Sequence, residues 1–190
     1  MLASTPSAVA RNVLGSSILR RMSLGAALLI ASAMACADPV LDEAIDALGP
    51  EASGVPTGPL HRPGQPCVLC HSEAGNAPPF LLAGTVFVDA HSLTPIDDVR
   101  VDFIDTFGET FSTTTNCAGS FIVRPQEYSA HSPIWVSLRR DEVLREMETP
   151  IYRDGSCAGC HSDPLGTASA GHVFLIDDPE VEQAPVSRCP

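Results

Sequence analysis

The chain has 190 residues and a net charge of −12, and all 11 of its basic side chains are arginine. A surface this acidic repels phosphate backbones and anionic headgroups and attracts basic partner patches, which argues against nucleic acid as a ligand. The length suits one domain of ordinary size whose core is stable without help.

In chain order, Arg20 and Arg21 precede an apolar run from Met22 to Ala35 that ends in Ala33-Met34-Ala35-Cys36. A basic flank, a short apolar stretch and small residues at the cut describe an export signal over 1–35, too short to span a bilayer comfortably. Cys36 stands where a bacterial lipoprotein is lipidated, and this would make a lipid anchor the only link to the membrane. Ala35-Cys36-Ala37 is also an acceptable ordinary cleavage site. The expected location is the bacterial cell envelope, in the periplasm or at the outer membrane.

Residues 36–66 are rich in Pro, Gly and small or acidic residues, with one short helix expected around Leu41 to Leu48, and they read as a flexible tether. The first loop segment, 67–79, opens with Cys67-Val68-Leu69-Cys70-His71. Pro63, Gly64 and Pro66 before it and Pro78 and Pro79 after it break any helix running through. Over 80–140 the period changes to two. Val86 and Val88, then Val99, Val101 and Phe103, then Phe121 and Val123, then Ile134, Val136 and Leu138 alternate with polar residues as short half-buried strands. Turn formers separate them around Pro95, Phe107-Gly108, Asn116 to Gly119 and Pro125 to Pro133.

A second segment, 141–170, carries Cys157-Ala158-Gly159-Cys160-His161 between Arg153-Asp154-Gly155-Ser156 and Asp163-Pro164. A last strand is expected over 171–178 and an acidic tail over 179–190. Short strands without a long amphipathic helix predict an all-β chain, an antiparallel sandwich flanked by two irregular segments.

The repeated Cys-x-x-Cys-His pattern carries the chemistry. Two thiols spaced this way add to the two vinyl groups of one haem, and the adjoining imidazole reaches its iron. From the chain's own Cys and His frequencies, two accidental matches have a probability of roughly 0.0001. The expectation is two covalently attached c-type haems, held by Cys67 and Cys70 and by Cys157 and Cys160, with His71 and His161 as proximal iron ligands. Val68, Leu69, Phe80, Leu81 and Leu82 would cover the first haem, and Met147, Ile151, Tyr152 and Leu165 the second. His172, His61 and Met147 are the candidates for a distal ligand, while His91 and His131 sit in turns and are expected to be solvated. Cys117 and Cys189 are left over. In an oxidising compartment they either pair as a disulfide or remain two partly buried thiols.

The stretch Gly84-Thr85-Val86-Phe87-Val88-Asp89, then Pro95-Ile96, Val99-Arg100-Val101, Gly108, Thr114-Thr115-Asn116 and Gly119-Ser120-Phe121 resembles the carboxypeptidase regulatory-like domains, a transthyretin-like sandwich family. One departure is that Phe107 stands before Gly108 where the family has Asp or Asn. The resemblance covers about forty residues and implies an Ig/transthyretin-like fold used for recognition or scaffolding, with no chemistry of its own. With its flanking motifs the whole resembles secreted bacterial proteins that carry such a sandwich between two c-type sites.

These readings favour an electron carrier over an enzyme, with redox proteins bearing basic docking patches as its partners. Three rivals stand beside it. Two Cys-x-x-Cys knuckles could hold one structural zinc and staple a binding module, although a His after each second cysteine has no purpose in a closed four-thiolate site. Each pair could be a thiol redox couple, but such motifs begin a helix after a strand. A small haem peroxidase or reductase subunit would need acid-base groups around an open iron, and no tight cluster in the sequence identifies them.

Overall fold

A computed structural model describes residues 38–51, 57–90, 93–162, 169–176 and Cys189. The expected export signal, Cys36, His91 and nearly all of the acidic tail lie outside these residues. No described helix is long and apolar enough to cross a membrane.

The alternation at Val101 and Phe103 does what period-two patterning requires. It sends both side chains inward from β2 (Arg100–Ile104) while Arg100 and Ile104 face out. β2 is central to a four-stranded antiparallel sheet with the order β3-β2-β5-β6, where β3 is Thr110–Thr114, β5 is Trp135–Arg140 and β6 is Val143–Glu146. Ile104 is paired with Thr110 on one side and Trp135 on the other, which fixes the register. β1 (Leu82–Thr85) and β4 (Ser120–Val123) form a second, two-stranded antiparallel sheet with Gly84 opposite Phe121. Phe103 of β2 meets Phe121 of β4 with ring centroids 5.9 Å apart, so the sheets share one core. Leu82, Val86, Ile96, Val99, Val101, Val123, Ile134 and Leu138 complete it, each burial stabilising by about 1.5–3 kcal/mol.

Among the described residues the fold is therefore all-β apart from short helices, as the periodicity predicts. Several details differ from the sequence reading. β3 was not foreseen, because Thr-Phe-Ser-Thr-Thr offers no buried face and forms an exposed edge strand on β-branched propensity. β6 falls inside 141–170, the stretch assigned to the second motif. The expected last strand is reduced to a single bridge, Phe87 to Phe174, with Phe87 N–H donating to Val173 O (2.8 Å) and Leu175 N–H to Phe87 O (3.2 Å). The Arg145 guanidinium lies 3.7 Å over the Phe174 ring and helps to hold this segment down.

The turn from β2 to β3 supplies its own carboxylate. Asp105, three residues before Gly108 (φ 84°), accepts hydrogen bonds from the backbone N–H of Phe107 (2.8 Å) and Glu109 (2.9 Å) and, from across the fold, of His131 (3.0 Å). His131, expected to be solvated, has its Nδ1 3.4 Å from Asp105 and its ring edge-on to Phe107.

The stretch expected to be a tether carries α1 (Pro39–Ala47), close to the anticipated helix. Its last residues are built onto the sheets. Asn116 Nδ2 donates to Pro59 O (2.8 Å), and Gly64 N–H donates to Thr85 Oγ1 (2.8 Å) on β1. The chain thus arrives at Cys67 already fixed against the strand that follows it.

Candidate functional site

Each Cys-x-x-Cys-His unit is a single helical turn, where loops were expected. The first is α2 (Cys67–Cys70) and the second a 3₁₀ turn, Cys157–Gly159. In both, the histidine N–H donates to the carbonyl of the first cysteine, at 3.0 Å for His71 and 2.8 Å for His161. A turn is compatible with the local prolines because Pro66 precedes the first one instead of interrupting it. Closing the turn puts the two cysteines and the histidine of each unit on one backbone turn. All four thiols are free, with Cys160 exposed and the other three half-buried.

Both turns dock on β1. Cys70 and His71 are fixed to the following loop by Ala77 N–H donating to Cys70 O (3.3 Å) and Phe80 N–H to His71 O (2.8 Å). That loop passes so close that a side chain at Gly75 would collide with the Cys70 carbonyl. On the other side, Ala83 N–H donates to Gly155 O (2.9 Å), and Ala83 forms a parallel bridge with Ser156, one residue before Cys157. Cys157 fills the space above Gly84: a Cβ there would lie 2.7 Å from its Sγ. Asp154 shapes the approach by accepting from Ser156 N–H at 2.8 Å. β1 is buried along its whole length because small residues, Ala83 and Gly84, let both turns pack on it.

The two imidazoles are held alike. His71 Nδ1 lies 2.7 Å from Pro78 O, and His161 Nδ1 lies 3.0 Å from Gly171 O. A carbonyl can only accept, so Nδ1 carries the proton in both rings and the lone pair is on Nε2. A carbonyl accepting from Nδ1–H in this way orients a metal-bound histidine and raises the basicity of its other nitrogen. His71 is further held by Phe80, stacked at 3.8 Å.

Of the other candidate ligands, His61 stacks beside His71, its ring centroid 5.9 Å from that of His71 and 19° from parallel. His172 is only 7% exposed and stacks on Phe87 at 4.3 Å. It lines a groove of about 390 Å³ together with Pro63, Gly64 and Gln65, which lead into the first turn, and Ser162, which follows the second. Met147 is elsewhere, in a groove of about 420 Å³ over the four-stranded sheet that no motif residue lines. Among the expected covering residues, Leu82 is turned into the core, Ile151 is bridged to Ile134, and Tyr152 is exposed. Cys117 and Cys189 are joined as a disulfide.

Burial, followed by the neighbouring Cys67, Asp154 and Cys160, pushes the Cys157 thiol up to about 12. Burial also raises Cys67, with Cys70 adding to the effect. The first cysteine of a thiol redox pair works through a depressed pKa, and both first cysteines here are displaced the opposite way. Among the described residues no group of three His, Cys, Asp or Glu side chains is placed to hold a metal ion. What each unit offers is two free thiols and an imidazole whose Nδ1 is held by a backbone carbonyl. That donor set fits covalent attachment of a porphyrin and axial ligation of its iron.

Sequence reasoning missed Gly84 as the seat of the second turn and the Pro78 and Gly171 carbonyls as anchors. An isolated glycine in a strand signals close approach of another segment, which could have found the first; a backbone carbonyl leaves no such signal. Comparison of the chain with known protein families, with curated proteins and with solved structures finds no match.

Proposed function

We propose that the protein is an exported dihaem c-type cytochrome that passes single electrons between partners at the cell envelope. The observation that carries the reading is the matched pair of Nδ1 contacts, His71 to Pro78 O and His161 to Gly171 O, at the histidines of the two repeated motifs. Cys67 and Cys70 would hold one haem through thioethers, and Cys157 and Cys160 the other. When bound, haem supplies one-electron iron chemistry. The chain's own part is to fix each imidazole by its Nδ1–H, to leave Nε2 for the iron, and to keep the attaching thiols beside β1. The acidic surface suits docking to basic patches on redox partners.

The two sheets are read as a transthyretin-like, carboxypeptidase regulatory-like sandwich that scaffolds the sites, and Cys36 as the lipid attachment point. Production with haem-maturation machinery tests the function. A pyridine haemochrome assay should count two haems per chain, and intact mass should show two porphyrin adducts. A colourless exported chain without porphyrin mass sinks the proposal, and zinc bound to that chain would favour a cysteine-stapled binding module.

A further inference from the structure

We infer that the two haems stand side by side against β1 and exchange electrons directly, as one interacting pair and not as two independent carriers. The inference rests on the dihaem reading and goes beyond it, because two attachment motifs ninety residues apart need not be neighbours in space.

Three structural relationships bring them together. The Cys67 turn packs on β1, and the Cys157 turn packs on the same strand through the Ala83 to Ser156 bridge and the fit of Cys157 Sγ over Gly84. Cys67 is also close enough to Cys157 for its charge to act on that thiol. Finally, the groove beneath His172 has Pro63, Gly64 and Gln65 on one wall and Ser162 on another, so the approaches to both turns open onto one concavity.

Attachment chemistry converts this closeness into haem geometry. Only a vinyl carbon separates a thioether sulfur from the porphyrin ring, so each macrocycle edge must stay beside its own cysteines. With the Cys67 and Cys157 turns packed on the same short strand, one edge of each ring is held near the other. The transfer moves one electron from the ferrous iron at one turn to the ferric iron at the other. The first is oxidised and the second reduced, no bond is made or broken, and redox partner proteins supply and remove the electron. Reduction of one haem also changes the charge beside the other, so their titrations are coupled.

The test uses the full chain carrying two haems, with the count fixed beforehand by pyridine haemochrome and intact mass. Circular dichroism in the Soret band should show a two-signed couplet. It should collapse to single-signed bands in the one-haem variants Cys67→Ser/Cys70→Ser and Cys157→Ser/Cys160→Ser. A spectroscopic redox titration of the two-haem protein should differ from the sum of the two variants' titrations. Because the Cys157 variant could lose its seat on Gly84, the ferric electron paramagnetic resonance spectrum of the unaltered protein gives a readout without substitution, with lines broadened by the neighbouring iron. Two counted haems with no couplet and unbroadened signals overturn the pair while leaving the dihaem reading intact. A count of zero overturns both.

Discussion

Cys157 Sγ occupies the space that a side chain on Gly84 would need, only 2.7 Å from where that Cβ would stand. The second turn is thus seated in a notch made by one missing methyl group. Gly84→Ala should destabilise the fold by about 1–3 kcal/mol through overpacking, as chemical denaturation would measure. Haem mass at Cys157 and Cys160 should fall while that at Cys67 and Cys70 persists, resolved by peptide mass analysis. Full occupancy of both sites in the alanine variant would show that the notch is not needed.

His71→Ala and His161→Ala should each keep both thioether adducts, because the thiols are untouched, yet lose one axial ligand. The measured outcome is a changed ligand-field spectrum, by electron paramagnetic resonance and visible absorption, at one haem per chain in each variant. An unchanged spectrum in either variant would remove that histidine from the iron.

Asp105 governs the acid limit. Burial of its carboxylate tends to raise the pKa, but hydrogen bonds from the backbone N–H of His131, Glu109 and Phe107 and from the His131 ring outweigh it, leaving a net depression. A depressed carboxylate contributes stability that is present above its unfolded pKa and lost as pH falls through the folded one. Thermal stability should therefore decline below about pH 4. Asp105→Asn should be less stable at neutral pH and should converge with the parent at the acid end. Two melting curves that stay parallel down to strong acid would rule this role out.

The disulfide from Cys117 to Cys189 closes a span of 72 residues. Cys117→Ser should cost about 2–4 kcal/mol, chiefly by freeing the unfolded chain. Haem count should be unaffected, because neither cysteine belongs to a motif. A denaturation midpoint that does not move would show that the bond contributes nothing to stability.

Much of this was legible in the residues. Val101 and Phe103 announce β2 by alternation, and the two Cys-x-x-Cys-His units are visible without a structure. β3 was hidden because an exposed edge strand needs no apolar face, and its threonines resemble loop residues. Asp105 was overlooked because its carboxylate reaches forward to Phe107 and Glu109 and across to His131, a contact no local window contains. The closeness of the turns was hidden for a similar reason. It depends on Gly155 and Ser156 joining the free side of β1, a pairing far apart in sequence that small, unpatterned residues do not advertise.

That pairing has one more consequence. β4 covers one border of β1, and Gly155-Ser156 meets the other at Ala83, so the segment presenting Cys157 also caps backbone groups that would otherwise template a neighbouring chain. A polypeptide whose second turn drifted away would bare that border and expose it to self-association.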